Sequence, residues 1–164
     1  MPVDRQKARR RAAAAAAAVL LVLGTPALAQ AHRRHHHRAQ DPVHRLLALV
    51  NHERRLAGCR PVTLNRRLDR AARLHSEDMA DNGQMSHRGS DGSSGGDRME
   101  DAGYDPTSWG ENVAYGYRTP EQVMHGWMHS RDHRRNILDC RFREMGLGHA
   151  QPGNFWTQEF ARAS

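Results

Sequence analysis

Two histidines and one glutamate stand in sequence contexts where their side chains could do chemistry. His87 ends the segment Gln84-Met85-Ser86-His87, and His133 opens a short polar turn. Segments of this kind face a cleft more often than a core. Glu111 lies in the glycine-flanked segment Trp109-Gly110-Glu111-Asn112. Neutral imidazole and carboxylate suit Zn²⁺ and leave one position open, and the same three groups could perform general acid–base chemistry.

The other histidines give weaker patterns. His125, His129 and His133 are spaced by four, which would align them on one unbroken helix. No glutamate follows His125 as a metalloprotease HExxH helix requires, and Ser130 is predicted to cap a new helix. We therefore expect His125 and His129 to be exposed, with a metal-binding pair as the alternative. His75 shares a face with apolar residues of a predicted helix, which favours packing over ligation.

Two further classes of function have weaker support in the sequence. A hydrolase needs a nucleophile beside a histidine, for which Ser86 and Ser130 are the local candidates, but no G-x-S-x-G segment supports either. A lipid carrier needs an apolar groove, and three Phe, three Trp and three Tyr offer little material for one. We expect a binding module rather than an enzyme.

Helix signals dominate the first part of the domain. The apolar spacing predicts a helix over Pro42–Ala57 and a second over Arg66–Asn82. Asp41 and Asn65 are the expected caps of these two helices. A short helix is predicted over Asp97–Ala102, and a capping box with proline at the first helical position opens another at Pro120.

Strand signals come later. Alternating side chains predict strands over Asn112–Tyr117, Glu144–Ala150 and Phe155–Phe160. Pro152-Gly153-Asn154 is a turn that should make the last two strands antiparallel. Helices followed by clustered strands predict an α+β domain built in layers.

The first 29 residues have the pattern of an export signal. Arg9-Arg10-Arg11 is a positive start, Ala12–Leu23 is an apolar run, and Ala27-Leu28-Ala29 is a small-x-small cleavage site. The run is shorter than the roughly 20 residues that span a membrane. We expect cleavage after Ala29, with cleavage after Ala31 or an uncleaved anchor as alternatives, and a secreted protein without a stable membrane span.

Residues 30–40 form a His/Arg-rich linker, His32–Arg38 at its centre, that has nothing apolar to bury. A solvated linker is favoured over a weak metal- or anion-binding tail. The domain proper, residues 41–164, holds 17 basic and 17 acidic residues, so the net charge of +7 belongs to the leader and the linker. A formally neutral domain has no long-range attraction for nucleic acid, so no nucleic-acid partner is expected.

Cys59 and Cys140 are the two cysteines of the chain. In an exported protein a disulfide is the natural expectation. Two free thiols, or a cysteine pair on a metal, remain the alternatives. About 120 residues outside the leader and linker suit one compact domain, which we expect to be a monomer.

Short motifs in a set order resemble one known family. They are His75–Ala80, Met85-Ser86-His87, Gly110–Ala114, Gly126-Trp127-Met128-x-Ser130, His133-Arg134-x-Asn136-Ile137-Leu138, Met145–Gly148 and Trp156–Phe160. Together they look like the CAP superfamily of cysteine-rich secretory proteins, antigen 5 and pathogenesis-related 1, in its bacterial SCP-like form. The resemblance spans about Val43 to Phe160.

The resemblance implies a three-layer α-β-α sandwich with a small antiparallel sheet and an extracellular location. It also implies a cleft lined by histidines and acids, which carries over to His87, Glu111 and His133. Animal members have a second glutamate where this chain has Ser130, and bacterial members often have Pro-Gly where it has Arg131-Asp132. From the three residues that carry over, we expect a cleft that holds a divalent metal such as Zn²⁺, on His87 and His133, or a small polar ligand.

Overall fold

The computed structural model describes residues 41–164. This part of the chain contains helices α1 (Pro42–Leu56), α2 (Arg66–Asn82), α3 (Gly95–Asp101), α4 (Pro120–His129) and α5 (Arg131–Ile137), and strands β1 (Thr63–Leu64), β2 (Pro106–Ala114), β3 (Glu144–Ala150) and β4 (Phe155–Ala163). None of these helices is long and apolar enough to cross a membrane. The predicted export signal and the His/Arg-rich linker lie outside the described residues.

The helix boundaries follow from caps that are visible in the sequence. Asp41 accepts a hydrogen bond from the Val43 amide at 3.0 Å, and Asn65 accepts one from the Arg67 amide at 2.9 Å. These bonds satisfy donors that would otherwise be free in the first turn. Gly83 ends α2 with a φ of 60°, in the left-handed region that favours glycine.

The strands form one sheet in the order β1-β3-β4-β2. The β2–β4 and β3–β4 pairs are antiparallel, whereas the short β1 runs parallel to β3, so the sheet is mixed rather than purely antiparallel. The strand predicted over Asn112–Tyr117 was wrong at both ends, because the pairing with β4 runs from Pro106 to Ala114. Gly110 and the residues before it show no clear alternation of apolar and polar side chains, so the sequence did not indicate a strand there.

Helices cover both faces of the sheet. On one face, α1, α4 and α5 bury an apolar cluster that includes Leu46, Trp127, Ile137 and Phe160, all at most 1% exposed. On the other face, α2 lies close to β3, where a Cβ on Gly146 or Gly148 would collide with the α2 backbone. The α+β, α-β-α architecture is therefore confirmed.

A buried arginine joins α1 to the segment around the end of α5. Arg54 of α1 is fully buried, and its guanidinium donates to the carbonyl oxygens of Ile137, Asp139 and Phe142 at 2.8 to 3.1 Å. The predicted disulfide between Cys59 and Cys140 is present beside it. Together they hold the end of α1 against the end of α5, the helix that carries His133.

Candidate functional site

Two glutamates lie side by side where β2 meets β4. Glu111 of β2 stands in register with Glu159 of β4. Glu159 shares its face with Thr157, whose hydroxyl bonds to Ser76 of α2 at 2.9 Å, so this face is the one that α2 covers. The Glu111 side chain is 3% exposed and the Glu159 side chain is fully buried. Carboxyl groups buried this deeply need partners.

Glu111 has a partner for each oxygen. His87 donates from Nδ1 to Oε1 at 2.6 Å, and Arg98 of α3 donates to Oε2. Arg98 also donates to the carbonyl oxygens of Ser93, at 2.9 Å, and His87, at 3.3 Å. The glutamate therefore orients His87, and Arg98 joins the carboxylate to the loop that carries that histidine.

His87 is the exposed member of this group, with 60% of its side chain accessible. It follows α2 in the segment that also supplies the Ser86 carbonyl oxygen, to which the buried His75 donates from Nε2 at 2.8 Å. The hydrogen bond to Glu111 raises the pKa of His87 above its ordinary value. Because Nδ1 is engaged, His87 presents Nε2 to solvent as a hydrogen-bond donor when charged.

His133 lies on α5 rather than in the predicted turn. Burial, and then the charge of His87, lower the pKa of His133 below its ordinary value. The helix is fixed against β2 by Asn112, which donates to the His133 carbonyl oxygen at 3.2 Å, and by Asn136, which donates to the Glu111 carbonyl oxygen at 3.0 Å. The charge of His87 thus acts on His133, and the pKa values of the two histidines move apart.

The two neighbouring glutamates carry one negative charge, because one of them is protonated. Burial and the neighbouring Glu111 carboxylate raise the pKa of Glu159 well above its ordinary value. Burial alone would raise the pKa of Glu111 too, but hydrogen bonds from His87 and Glu159 and the charge of Arg98 lower it. Glu159 is therefore the protonated member, and a proton on it has Glu111 as its acceptor. Without that proton, neither Glu159 oxygen has a hydrogen-bond partner within the described residues.

Of the three predicted residues, His87 and Glu111 are in direct contact, and His133 follows on α5, which Asn112 and Asn136 bond to β2. Two further residues, Arg98 and Glu159, adjoin Glu111. Arg98 and Glu159 were not predicted as site residues. The sequence did contain a sign of Glu159. It is an acidic residue between Trp156 and Phe160 in a predicted strand, and acidic residues are rarely buried unless they are paired. The sequence contained no such sign of Arg98, because the helix that carries it is short and mostly polar.

The other histidines considered from the sequence, His75, His125 and His129, lie outside this group. His75 is 1% exposed and packs within α2's buried face, as its helical spacing indicated. His125 and His129 stack on each other with ring centroids 3.9 Å apart on an exposed part of α4. Within residues 41–164, no group of three His, Cys, Asp or Glu side chains is arranged to hold a metal ion.

The Glu111 carboxylate is already committed to other side chains. Both oxygens of Glu111 are already engaged, one of them by the cation Arg98. A metal ion at this carboxylate would have to displace or face that guanidinium, which is electrostatically unfavourable. What the arrangement presents is His87, with a raised pKa, His133, with a lowered pKa, and a buried acid that orients the first.

Comparison with curated proteins places the chain among bacterial relatives. It is 37% identical over 116 residues to the uncharacterized protein YkwD of Bacillus subtilis (strain 168), a match covering 71% of this chain and 45% of that protein. It is 34% identical over 88 residues to the uncharacterized membrane protein YlbC of the same organism, covering 54% of this chain and 25% of that protein. The matches span less than half the length of either relative.

Solved structures share the fold. An extracellular protein from Bacillus anthracis containing an SCP domain superposes with a TM-score of 0.71 at 28% identity, covering 75% of this chain and 41% of that one. An outer surface protein from Borrelia burgdorferi gives a TM-score of 0.70 at 14% identity, covering 77% and 96%, a likeness of fold alone. The family model described as CAP, the cysteine-rich secretory protein family, matches residues 47–160, and the chain belongs to that family.

Proposed function

We propose that the chain is a CAP-domain binding module of the cell exterior, whose cleft between His87 and His133 binds a small ligand rich in hydrogen-bond acceptors. One observation carries the proposal: the exposed His87 is held by the buried Glu111, and that contact raises its pKa. A histidine with a raised pKa in an open position carries its charge to higher pH than an ordinary histidine, and the charged ring attracts acceptors and anions.

The second histidine gives the cleft its chemical asymmetry. His133 has a lowered pKa, so it stays neutral where His87 is charged, and a neutral imidazole offers one donor and one acceptor. Arg98 reinforces the positive charge from behind, although the Glu111 carboxylate offsets part of it. A small anionic or carbonyl-bearing ligand matches this set better than a cation does.

A titration with small anions tests the proposal. Inorganic phosphate and acetate should shift the ring signals of His87 and His133 in an NMR titration of the chain, and the affinity should fall as pH rises through the pKa of His87, because the charge is lost there. His87→Gln should remove the binding, whereas His52→Gln, on the exposed part of α1, should leave it unchanged. Ring signals that stay fixed at all anion concentrations would refute the proposal.

The metal and hydrolase alternatives have separate tests. Isothermal titration with Zn²⁺ on the wild type and on His133→Ala would show heat that depends on His133 if the cleft held a metal ion. A screen of peptide and ester substrates would show turnover that depends on His87 if the cleft were catalytic. Ser86 is a poor nucleophile candidate, because within residues 41–164 its hydroxyl bonds to the Arg88 amide, at 2.8 Å, and to no histidine that could act as its base.

The segments before the domain also have proposed roles. We propose that residues 1–29 direct export, that residues 30–40 act as a solvated linker, and that the domain acts outside the cell as a monomer. The extracellular protein from Bacillus anthracis that shares the fold at 28% identity supports this location. Deleting His32–Arg38 should leave retention at the cell surface unchanged if the linker has no tethering role.

A further inference from the structure

A second pocket lies on the other side of Arg98 from the cleft, between α2, α3 and the loop that joins them. Its volume is about 280 Å³. Pockets for drug-sized ligands begin at roughly 300 Å³, so this one suits a smaller molecule. Three aspartates and two arginines contribute to its lining: Asp78, Asp91, Asp101, Arg70 and Arg98.

Two acceptors lie close together in this pocket, and one of them has no donor among the described residues. His75 donates from Nε2 to the Ser86 carbonyl oxygen, which fixes that nitrogen as the protonated one. The other nitrogen, Nδ1, is buried and has no hydrogen-bond partner within residues 41–164. It lies 4.0 Å from Oδ2 of Asp78, which accepts a hydrogen bond from the Ser90 amide at 2.9 Å. Burial lowers the pKa of His75, so the ring is neutral and Nδ1 carries a lone pair. Two acceptors at this separation call for a bridging donor.

We propose that this pocket binds a small primary amine whose ammonium group bridges Nδ1 of His75 and Oδ2 of Asp78. To reach the buried Nδ1, the ammonium takes the place of the Ser90 amide and the Asn82 side chain as donors to the Asp78 carboxylate, whose side chain is 27% exposed and turns to admit it. Burying the ammonium between two acceptors meets its need for partners. This site is separate from the His87–His133 cleft and does not depend on the function proposed for it.

The rest of the lining narrows the ligand further. Asp91 and Asp101 add negative charge, and the charge of Arg98 is offset by Glu111 on its other side. Arg98 Nε is buried and has no hydrogen-bond partner in the described part of the chain, so it can donate to an acceptor placed beside the amine. Ala71, Leu74 and Ala102 form an apolar wall. The best match is a compact amine with neighbouring hydroxyl groups and a carbon face, as in an amino sugar.

An NMR titration with glucosamine tests the inference, with glucose and N-acetylglucosamine as probes that lack the ammonium group. Glucosamine should give saturable shifts at His75 Nδ1 and at the amides of Ser90 and Ala102, and should bind about tenfold or more tightly than either comparator. Equal binding of glucose, or no saturable shift, would overturn the inference. Movement of the His87 and His133 ring signals alone would also overturn it, because the ligand would then occupy the cleft.

Paired variants test the location. Ala102→Leu fills the pocket from its partly exposed wall and should weaken glucosamine binding by about tenfold or more. Ala57→Leu makes the same change at an exposed position at the end of α1 and should have no effect. Asp101→Asn removes a rim charge and should weaken binding several-fold, whereas Glu100→Gln, on the same helix but outside the pocket, should not. Glucosamine binding that is equal in all four variants would contradict the assigned position.

Discussion

Glu111 is the residue on which the cleft depends. It is almost fully buried, yet it is held as a carboxylate because His87, Arg98 and the proton of Glu159 all bond to it. A buried charge that is paired in this way costs less than one that is buried alone. The exposed chemistry of His87 is therefore set by an acid that a ligand does not touch.

The first prediction concerns the two cleft histidines. In an NMR pH titration, His87 should titrate above and His133 below the ordinary histidine value of about 6.5. Glu111→Gln should lower the pKa of His87, because the amide cannot stabilise the imidazolium as the carboxylate does. Glu100→Gln is the control for loss of a surface charge. An unchanged His87 titration in the Glu111 variant would show that another group raises its pKa.

Glu159 should make the stability of the protein depend on pH. Its folded-state pKa is raised above the unfolded value of about 4.3. The stability it contributes is therefore complete below that value and is lost as pH rises through the folded pKa. Glu159→Gln keeps the shape and a donor toward Glu111, so its free energy of unfolding should exceed that of the wild type by an amount that grows with pH. Denaturation at a series of pH values measures this, and a constant difference would contradict it.

At the scale of elements, the site depends on how closely α2 approaches β3. Gly146 and Gly148 leave no side chain between the strand and the helix backbone at Leu68 and Ala72. This approach allows β4 to place Glu159 beneath α2, where it is shielded from water. It also positions the end of α2, from which the chain continues to His87.

Gly146→Ala should therefore destabilise the protein strongly. The added Cβ would overlap the Leu68 backbone, which cannot give way as a flexible side chain could. We expect a loss of about 3 kcal/mol in the free energy of unfolding, the upper end for overpacked cores. Gly83→Ala is the control, because its Cβ meets nothing and costs only about 1 kcal/mol of left-handed backbone strain. Equal losses in the two variants would refute the close-approach argument.

At the scale of the whole molecule, one cross-link joins the first helix to the segment after α5. Cys59 and Cys140 are separated by 81 positions in the sequence. Replacing both by serine should reduce the free energy of unfolding by about 4 kcal/mol, since the unfolded chain regains the entropy of that loop. Urea denaturation measures the change. Wild-type protein unfolded in the presence of a reductant should match the variant; a variant as stable as the oxidised protein would contradict the prediction.

Much of the fold could be predicted from local sequence. Asp41, Asn65 and Gly83 mark helix ends through contacts within a few residues, and Glu144–Ala150 shows its strand by alternation alone. The strand β2 was misplaced because its pairing with β4 extends over residues whose own pattern is weak. The two-residue β1 is held by its neighbour β3 and has no local signal.

The sequence by itself determined which residue types were available: two histidines and a glutamate in polar segments, a pair of cysteines and the family's ordered motifs. The tertiary structure decided their chemistry. It set Glu159 beside Glu111 across two strands, brought Arg98 to that pair, and left His87 exposed and His133 half-buried. Charge and pKa at such a site depend on distances between groups far apart in the chain, and local sequence carries no information about those distances.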